Sequence, residues 1–231
     1  MDEAGRGLDA VEAAGTLLEH AADGRAVAGD DGDVGDEEAL ELDRAERGGA
    51  VAPDLDGARL GAALTCRGND LSISCLASLC DAYYIGGTKN GALFGEALVI
   101  RNGELNDHFR WMMKRQCGLL AKGRLIGVQF EALLEGGEQS LYYEIASREN
   151  RIADMLRSGL SGMGITFFSP STTNQIFPIM EVGVVRALQK DFFFYEWAKE
   201  SDGMIPIRLV TGWGTTEEDA EAFLDAVRKH I

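Results

Sequence analysis

No stretch of the chain approaches the roughly 20 consecutive apolar residues that a membrane-spanning helix requires, and its first residues are acidic where a targeting leader would be basic and then apolar. Both absences argue against membrane insertion and secretion. CxxC pairs are missing as well. The four cysteines, Cys66, Cys75, Cys80 and Cys117, have no histidine at metal-ligand spacing, which argues against zinc and predicts buried free thiols in a reducing cytoplasm. Cations are scarce: 22 Lys and Arg stand against 38 Asp and Glu, a formal net charge of −16. Phosphate contacts need clustered Lys and Arg, so neither nucleic acid nor an anionic membrane is the expected partner.

Residues 1–53 lack aromatic residues and lysine altogether. They hold fifteen Asp and Glu against four Arg and so carry −11 of the −16. The run Gly29-Asp30-Asp31-Gly32-Asp33-Val34-Gly35-Asp36-Glu37-Glu38 has too few apolar groups to offset the entropy of ordering it, which predicts disorder. Acids spaced around glycine invite a calcium-loop reading, but the Asp-x-Asp-x-Asp-Gly order and the closing Glu are not met, so a solvated acidic tract is expected. Leu8, Val11, Leu17 and Leu18 allow a short helix over residues 8–20.

What is present begins at Asp54, where the texture changes to apolar strands, glycine turns and amphipathic helices. With 45% hydrophobic residues, the chain can build a proper core over a large and a small domain. Leu76 to Ile85 runs through a short helix into a strand. The turn Gly86-Gly87-Thr88-Lys89-Asn90-Gly91 follows, and Ala97 to Ile100 reads as a buried strand, so a hairpin-like unit presents Lys89 at its loop. Residues 105–135 read as helical, with Phe109, Met112, Met113, Leu119, Leu120, Leu125 and Phe130 as core candidates and Gly118 and Gly123 as possible breaks. A further helix covers 141–164. Strands are expected at Thr166–Phe168, Gln175–Ile179 and Ile205–Val210, with a helix near 181–190. In the last helix Thr215 and Glu218 read as a capping box, and Ala220, Phe223, Leu224, Val227 and Ile231 fall on one face.

Two short stretches carry chemistry. In Leu55-Asp56-Gly57-Ala58-Arg59-Leu60 an acid ends a strand where glycine lets the backbone turn and an arginine follows three residues on. Taken alone, such an Asp is a helix cap or turn former, and Lys89 on its loop is a solvated charge. Together they suit pyridoxal phosphate. A lysine amine with a pKa near 10.4 is a poor nucleophile at neutral pH, and a confined, glycine-lined site desolvates it and favours Schiff-base formation, the role Lys89 fits. A carboxylate keeps the pyridine nitrogen protonated and the ring an electron sink, the role of Asp56. Arg59 can donate to the ring's phenolic oxygen without losing its proton.

These two stretches, extended to Leu64 and to Glu96, together with their order and spacing, resemble the threonine aldolase family. The likeness continues through Leu120-Ala121-Lys122-Gly123-Arg124-Leu125, Thr173-Asn174-Gln175-Ile176-Phe177-Pro178 and Ile207-Arg208-Leu209-Val210-Thr211-Gly212-Trp213-Gly214-Thr215-Thr216. The family belongs to the β-eliminating lyases with an aspartate-aminotransferase-type fold. The resemblance implies an α/β fold: a partial fold type I large domain over 54–140, followed by a small α+β domain over 141–231. It implies a pyridoxal-phosphate carbon–carbon lyase that cleaves threonine or allo-threonine to glycine and acetaldehyde, working as a cytoplasmic homodimer or homotetramer. By position, Arg208 resembles the arginine that grips the substrate carboxylate, two donors for two oxygens; a structural salt bridge is its plainer reading. Lys122 and Arg124 could approach the cofactor phosphate or a subunit contact, or simply be surface charges.

A complete member carries a long N-terminal half with the early strands, a glycine-rich turn for the cofactor phosphate and a ring stacked on the pyridine. Residues 1–53 resemble none of it. The expectation is therefore an incomplete enzyme with little aldolase turnover of its own. The alternatives are a non-catalytic remnant or subunit-interaction piece, or another β-eliminating lyase or aminotransferase, since Lys89 and Asp56 serve all of these chemistries.

Overall fold

The computed structural model describes residues 54–231, so the expected disorder of the acidic segment and its possible helix over 8–20 lie outside the described residues. The described chain divides into two compact units. The first comprises residues 54–64 and 69–145, the second residues 65–68 and 146–231.

The first unit is built on three strands in the order β1 (Asp54–Leu55), β2 (Ala82–Gly86), β3 (Glu96–Ile100). β1 runs parallel to β2, with Leu55 opposite Tyr83; β2 and β3 are antiparallel, with Ile85 opposite Ala97. The expected hairpin is thus present, and of the mainly parallel sheet one parallel pair lies among the described residues. Between β1 and β2 come α1 (Leu60–Thr65) and α2 (Ile73–Leu79). Ser72 caps α2, its side chain accepting from the Cys75 N–H, which satisfies one of the amides a helix start leaves open. Leu55, Leu76, Tyr83, Ile85, Phe130, Leu133 and Tyr142 share one core. Tyr83 and Tyr84 point to opposite faces, as successive strand residues must. Burial pushes the Tyr83 phenol well above its usual range, with a smaller push from Cys80.

Three expectations for this unit are corrected. β3 is not a buried strand, because Glu96 and Leu98 are exposed and the rest are half-buried. Residues 105–135 form three helices, α3 (Gly103–Asn106), α4 (Phe109–Arg115) and α5 (Arg124–Leu134), with the break over 116–123 that Gly118 and Gly123 foreshadow. Of their seven expected core residues only Phe130 is buried. Phe109 and Met113 are half-buried, and Met112, Leu119, Leu120 and Leu125 are exposed. Periodicity identifies an apolar face but not what covers it. Cys117, in the break, is an exposed thiol, whereas Cys66, Cys75 and Cys80 are buried and free as expected.

The second unit takes most of α6 (Leu141–Gly162), then β4 (Gln175–Ile176), β5 (Ile179–Glu181), α7 (Val182–Leu188), β6 (Tyr195–Glu196), β7 (Met204–Val210) and α8 (Glu217–Arg228). β7 is the central strand. β4, β5 and β6 all pair with it antiparallel, each along a different part of its length. The strand expected over 166–168 is reduced to a single bridge from Phe167 to Pro178. Ile205, Ile207 and Leu209 turn one face of β7 into a core shared with Ile152, Leu156 and Leu160 of α6 and Phe223, Leu224 and Val227 of α8. The capping box of α8 is made by Thr216 and Asp219, one residue later than expected, while the Thr215 hydroxyl accepts from the Gly212 N–H at 2.9 Å. Ile231 lies beyond the helix and is exposed.

Among the described residues no helix is long and apolar enough to cross a membrane, and no group of His, Cys, Asp and Glu could hold a metal ion.

Candidate active site

The parallel pairing of β1 with β2 decides where the candidate residues stand. Asp56 follows the last residue of β1, and Lys89 lies three residues beyond the end of β2, so both leave the sheet at its carboxyl end. Crevices at the carboxyl ends of strands are where open α/β sheets bind ligands. The register carries the argument further. Leu55 stands opposite Tyr83 on the core face, so the next pair, Asp56 and Tyr84, falls on the other face. There the Tyr84 hydroxyl donates to Asp56 Oδ1, the same oxygen that accepts the Ala58 N–H at 3.0 Å. The carboxylate is exposed, and its Oδ2 takes no hydrogen bond among the described residues.

Two glycines let the strand ends come this close. Gly86 donates its N–H to the Gly57 carbonyl at 2.9 Å. A Cβ on Gly57 would run into the Tyr84 carbonyl oxygen, and one on Gly86 would sit 2.7 Å from the Gly57 oxygen and 2.8 Å from that of Ala58. The turn after Gly57 leads directly into α1, where Arg59 is half-buried and its carbonyl accepts the Ala63 N–H, so Arg59 stands at the head of that helix.

The loop after β2 is fixed from below. Asn90 and Ala92 both donate their N–H to the Gly87 carbonyl at 2.9 Å, which closes the turn on either side of the half-buried Lys89. Asn90 is 4% exposed, and its amide donates to the Tyr142 carbonyl at 2.8 Å. The Tyr142 hydroxyl, fully buried, accepts from the Gly61 N–H and donates to the Gly86 carbonyl, each at 3.1 Å. One side chain therefore ties the start of α1, the end of β2 and the Lys89 loop into a single arrangement. Such a network orients a functional group only because every member is satisfied.

In the second unit Arg208 lies on β7 opposite Tyr195, on the face away from the Ile205–Ile207–Leu209 core, with its guanidinium carbon 5.3 Å from the centre of the Trp197 ring. The end of β7 is anchored by a buried polar set. Asn174 donates to Glu149 Oε2 at 3.2 Å and to the Thr211 carbonyl at 2.7 Å, and the Thr211 hydroxyl donates to the Glu149 carbonyl at 2.7 Å. Lys122 and Arg124 are both exposed, in the turn before α5 and at its first residue.

Sequence reasoning thus named Asp56, Arg59 and Lys89, which the first unit brings to one end of its sheet. It missed Tyr84, Asn90, Tyr142, Glu149, Asn174 and Thr211. Asn174 and Thr211 lie within the stretches that carry the family resemblance, a signal that could have found them. Tyr142 is 53 residues from Lys89 in the chain and offers no local signal.

The comparisons with known proteins agree with the resemblance. Over 139 residues the chain is 30% identical to a low-specificity L-threonine aldolase of a Pseudomonas species, which covers 59% of this chain and 38% of the relative. The threonine aldolase of Leishmania major is 40% identical and superposes with a TM-score of 0.73 over 76% of this chain and 51% of its own. Over the part that it covers, the chain is similar to the threonine aldolases. A second low-specificity L-threonine aldolase, from Pseudomonas aeruginosa, is 27% identical over 166 residues, 71% of this chain and 46% of the relative. The chain thus spans about half or less of the length of the threonine aldolases it matches. Its fold is the pyridoxal-phosphate-dependent fold type I, represented in part. No family model matches the chain.

Proposed function

We propose that this chain carries the cofactor lysine and the ring-nitrogen carboxylate of a pyridoxal-phosphate-dependent threonine aldolase. The observation that supports the reading best is the β1–β2 pairing, which brings Asp56 and Lys89 to the same end of one sheet. The similarity to the threonine aldolases agrees with it. The residues present fit the cofactor at its ring. Asp56 offers an exposed oxygen free of other hydrogen bonds among the described residues, and the close-packed Gly57 and Gly86 leave room for no side chain between the two strand ends.

Bound pyridoxal phosphate supplies an electron sink for the pair released when a bond to the substrate's α-carbon breaks. Asp56 holds the proton on the ring nitrogen, because a carboxylate beside it raises the nitrogen's pKa. Lys89 would hold the cofactor through its side-chain amine. Arg59 would donate to the phenolic oxygen. Arg208 receives the substrate carboxylate, its fork of donors matching two oxygens. The reaction is the cleavage of a β-hydroxy amino acid, threonine or allo-threonine, between its α- and β-carbons. The β-hydroxyl proton is lost, the β-carbon leaves as acetaldehyde, and the α-carbon takes up a proton to give glycine. Positioning dominates such a rate, and none of these residues holds the cofactor phosphate, so weak turnover by this chain is expected.

The test is acetaldehyde release from threonine and from allo-threonine by the 231-residue protein and its Lys89→Ala variant, each supplied with pyridoxal phosphate. A small release that disappears in Lys89→Ala is expected. Release that Lys89→Ala leaves unchanged would overturn the assignment of Lys89. Robust release, Lys89-dependent, would instead overturn the view that the chain turns over weakly.

A further inference from the structure

A carboxylate serves a pyridine nitrogen only while one of its oxygens is kept pointing at it, and the terminal torsion of an exposed aspartate is broad. Asp56 is exposed and directly follows a two-residue strand, and its own turn gives it the Ala58 N–H on Oδ1 at 3.0 Å, the bond of a plain Asx turn. The Tyr84 hydroxyl adds what the turn lacks. It donates to the same Oδ1 from the neighbouring strand, 28 residues further along the chain. One donor from the turn and one from β2 together fix the plane of the carboxylate and load a single oxygen, so Oδ2 is the oxygen presented outward. Tyr84 is itself firmly placed. It is half-buried on β2, the middle strand of its sheet, opposite Leu98 of β3, and its carbonyl packs so closely on Gly57 that a Cβ there would run into it.

We propose that Tyr84 is a positioning residue for the cofactor's ring nitrogen: its hydroxyl holds Asp56 so that Oδ2 meets the proton on that nitrogen. The inference rests on the reading of Asp56 as the ring-nitrogen carboxylate. The chemistry of a phenol suits the task. It keeps its proton at neutral pH and so donates to a carboxylate without bringing a charge. An arginine or lysine in its place would pair with Asp56 and compete with the positive charge of the ring, which Asp56 is there to stabilise. Tyr83 cannot take the role, because it is 1% exposed on the core face of the same strand. Strand alternation thus divides two adjacent tyrosines into a core residue and a site residue, and a one-residue slip against β1 would exchange them. A second consequence separates this role from simple support of the fold. The Tyr84 hydroxyl matters to a ligand that has a ring nitrogen and not to the same ligand without one.

The test compares the full chain with Tyr84→Phe, which keeps the ring and loses only the hydroxyl. Each is incubated with graded pyridoxal phosphate, or with an analogue carrying C–H in place of the ring nitrogen, and reduced with borohydride. The mark on Lys89 is then quantified by peptide mass spectrometry. With pyridoxal phosphate, half-maximal marking should need about tenfold more cofactor in Tyr84→Phe, the scale of a lost hydrogen bond to a charged group. With the analogue the two proteins should mark alike. Without either compound, hydrogen exchange at the Ala58 N–H should quicken about fivefold in Tyr84→Phe, because the carboxylate it donates to has lost its second anchor. The Gly86 N–H, which donates to the Gly57 carbonyl, should keep its rate. Unchanged marking by pyridoxal phosphate would overturn the proposal, as would an unchanged rate at Ala58. An equal loss with both compounds would overturn it too, and make the hydroxyl a structural group. No mark on Lys89 in the unsubstituted chain would instead overturn the reading of the site, and this proposal with it.

Discussion

The two units treat apolar residues of their helical regions differently. In the second unit Ala220, Phe223, Leu224 and Val227 of α8 are spaced for one helical face, and all four are buried against β7 and α6. In the first unit Met112 of α4, Leu119 and Leu120 of the break after it and Leu125 of α5 are as apolar, yet they stand exposed. The difference lies in what each helix can reach. α8 returns onto a strand paired on both sides, whereas α4 buries none of its residues among the described residues. Apolar periodicity reports that a face is meant to be covered, and only tertiary structure reports by what.

The largest effect that would break this comparison is expected in the second unit. Phe223→Ala removes a side chain that is 5% exposed and packs edge-on against Phe192, and it should cost about 3–5 kcal/mol of unfolding free energy in a denaturant titration. A loss no larger than that of a surface substitution would mean the α8 core is not formed as described.

Tyr142→Phe comes next and sharpens the account of the first unit. It removes only the hydroxyl that bridges the Gly61 N–H and the Gly86 carbonyl at a buried site, at an expected cost of about 1–3 kcal/mol. If the network also fixes the Lys89 loop, hydrogen exchange at Asn90 and Ala92, whose N–H groups close that loop, should quicken more than exchange in β7. Uniform quickening across both units would show a role in global stability alone.

Thr216→Ala should cost about 1 kcal/mol through loss of the helix cap, and more than Thr215→Ala, because Thr216 alone accepts from the Asp219 N–H. The reverse ranking would restore the cap read from the sequence. Met112→Ser should change stability least, within about 0.5 kcal/mol, since an exposed side chain loses little on truncation. A loss comparable to Phe223→Ala would place Met112 in a core.

Much of this was legible in the sequence, and the gaps have physical causes. The Lys89 hairpin could be read because its glycines and flanking apolar runs are local signals. Asp56 could be singled out because glycine and arginine follow it at short spacing. The α8 cap was read one residue early: Thr215 and Thr216 each have an acid three residues on, and only the fold decides which hydroxyl turns toward the helix and which toward the Gly212 N–H. Tyr84 was not legible as a partner of Asp56, because the contact depends on the register of a two-residue strand. Nor was Glu149, a buried acid in the middle of a helix, whose contacts with Asn174 and Thr211 span 25 and 62 residues.

The central claim is that Lys89 is the cofactor lysine, and reductive trapping tests it most directly. The full chain is incubated with pyridoxal phosphate and reduced with borohydride, and the mark is located by peptide mass spectrometry among its six lysines, Lys89, Lys114, Lys122, Lys190, Lys199 and Lys229. The mark is expected on Lys89, absent in Lys89→Ala and diminished in Asp56→Ala. A mark spread over the exposed Lys114, Lys122 and Lys190, or none on Lys89, would contradict the account.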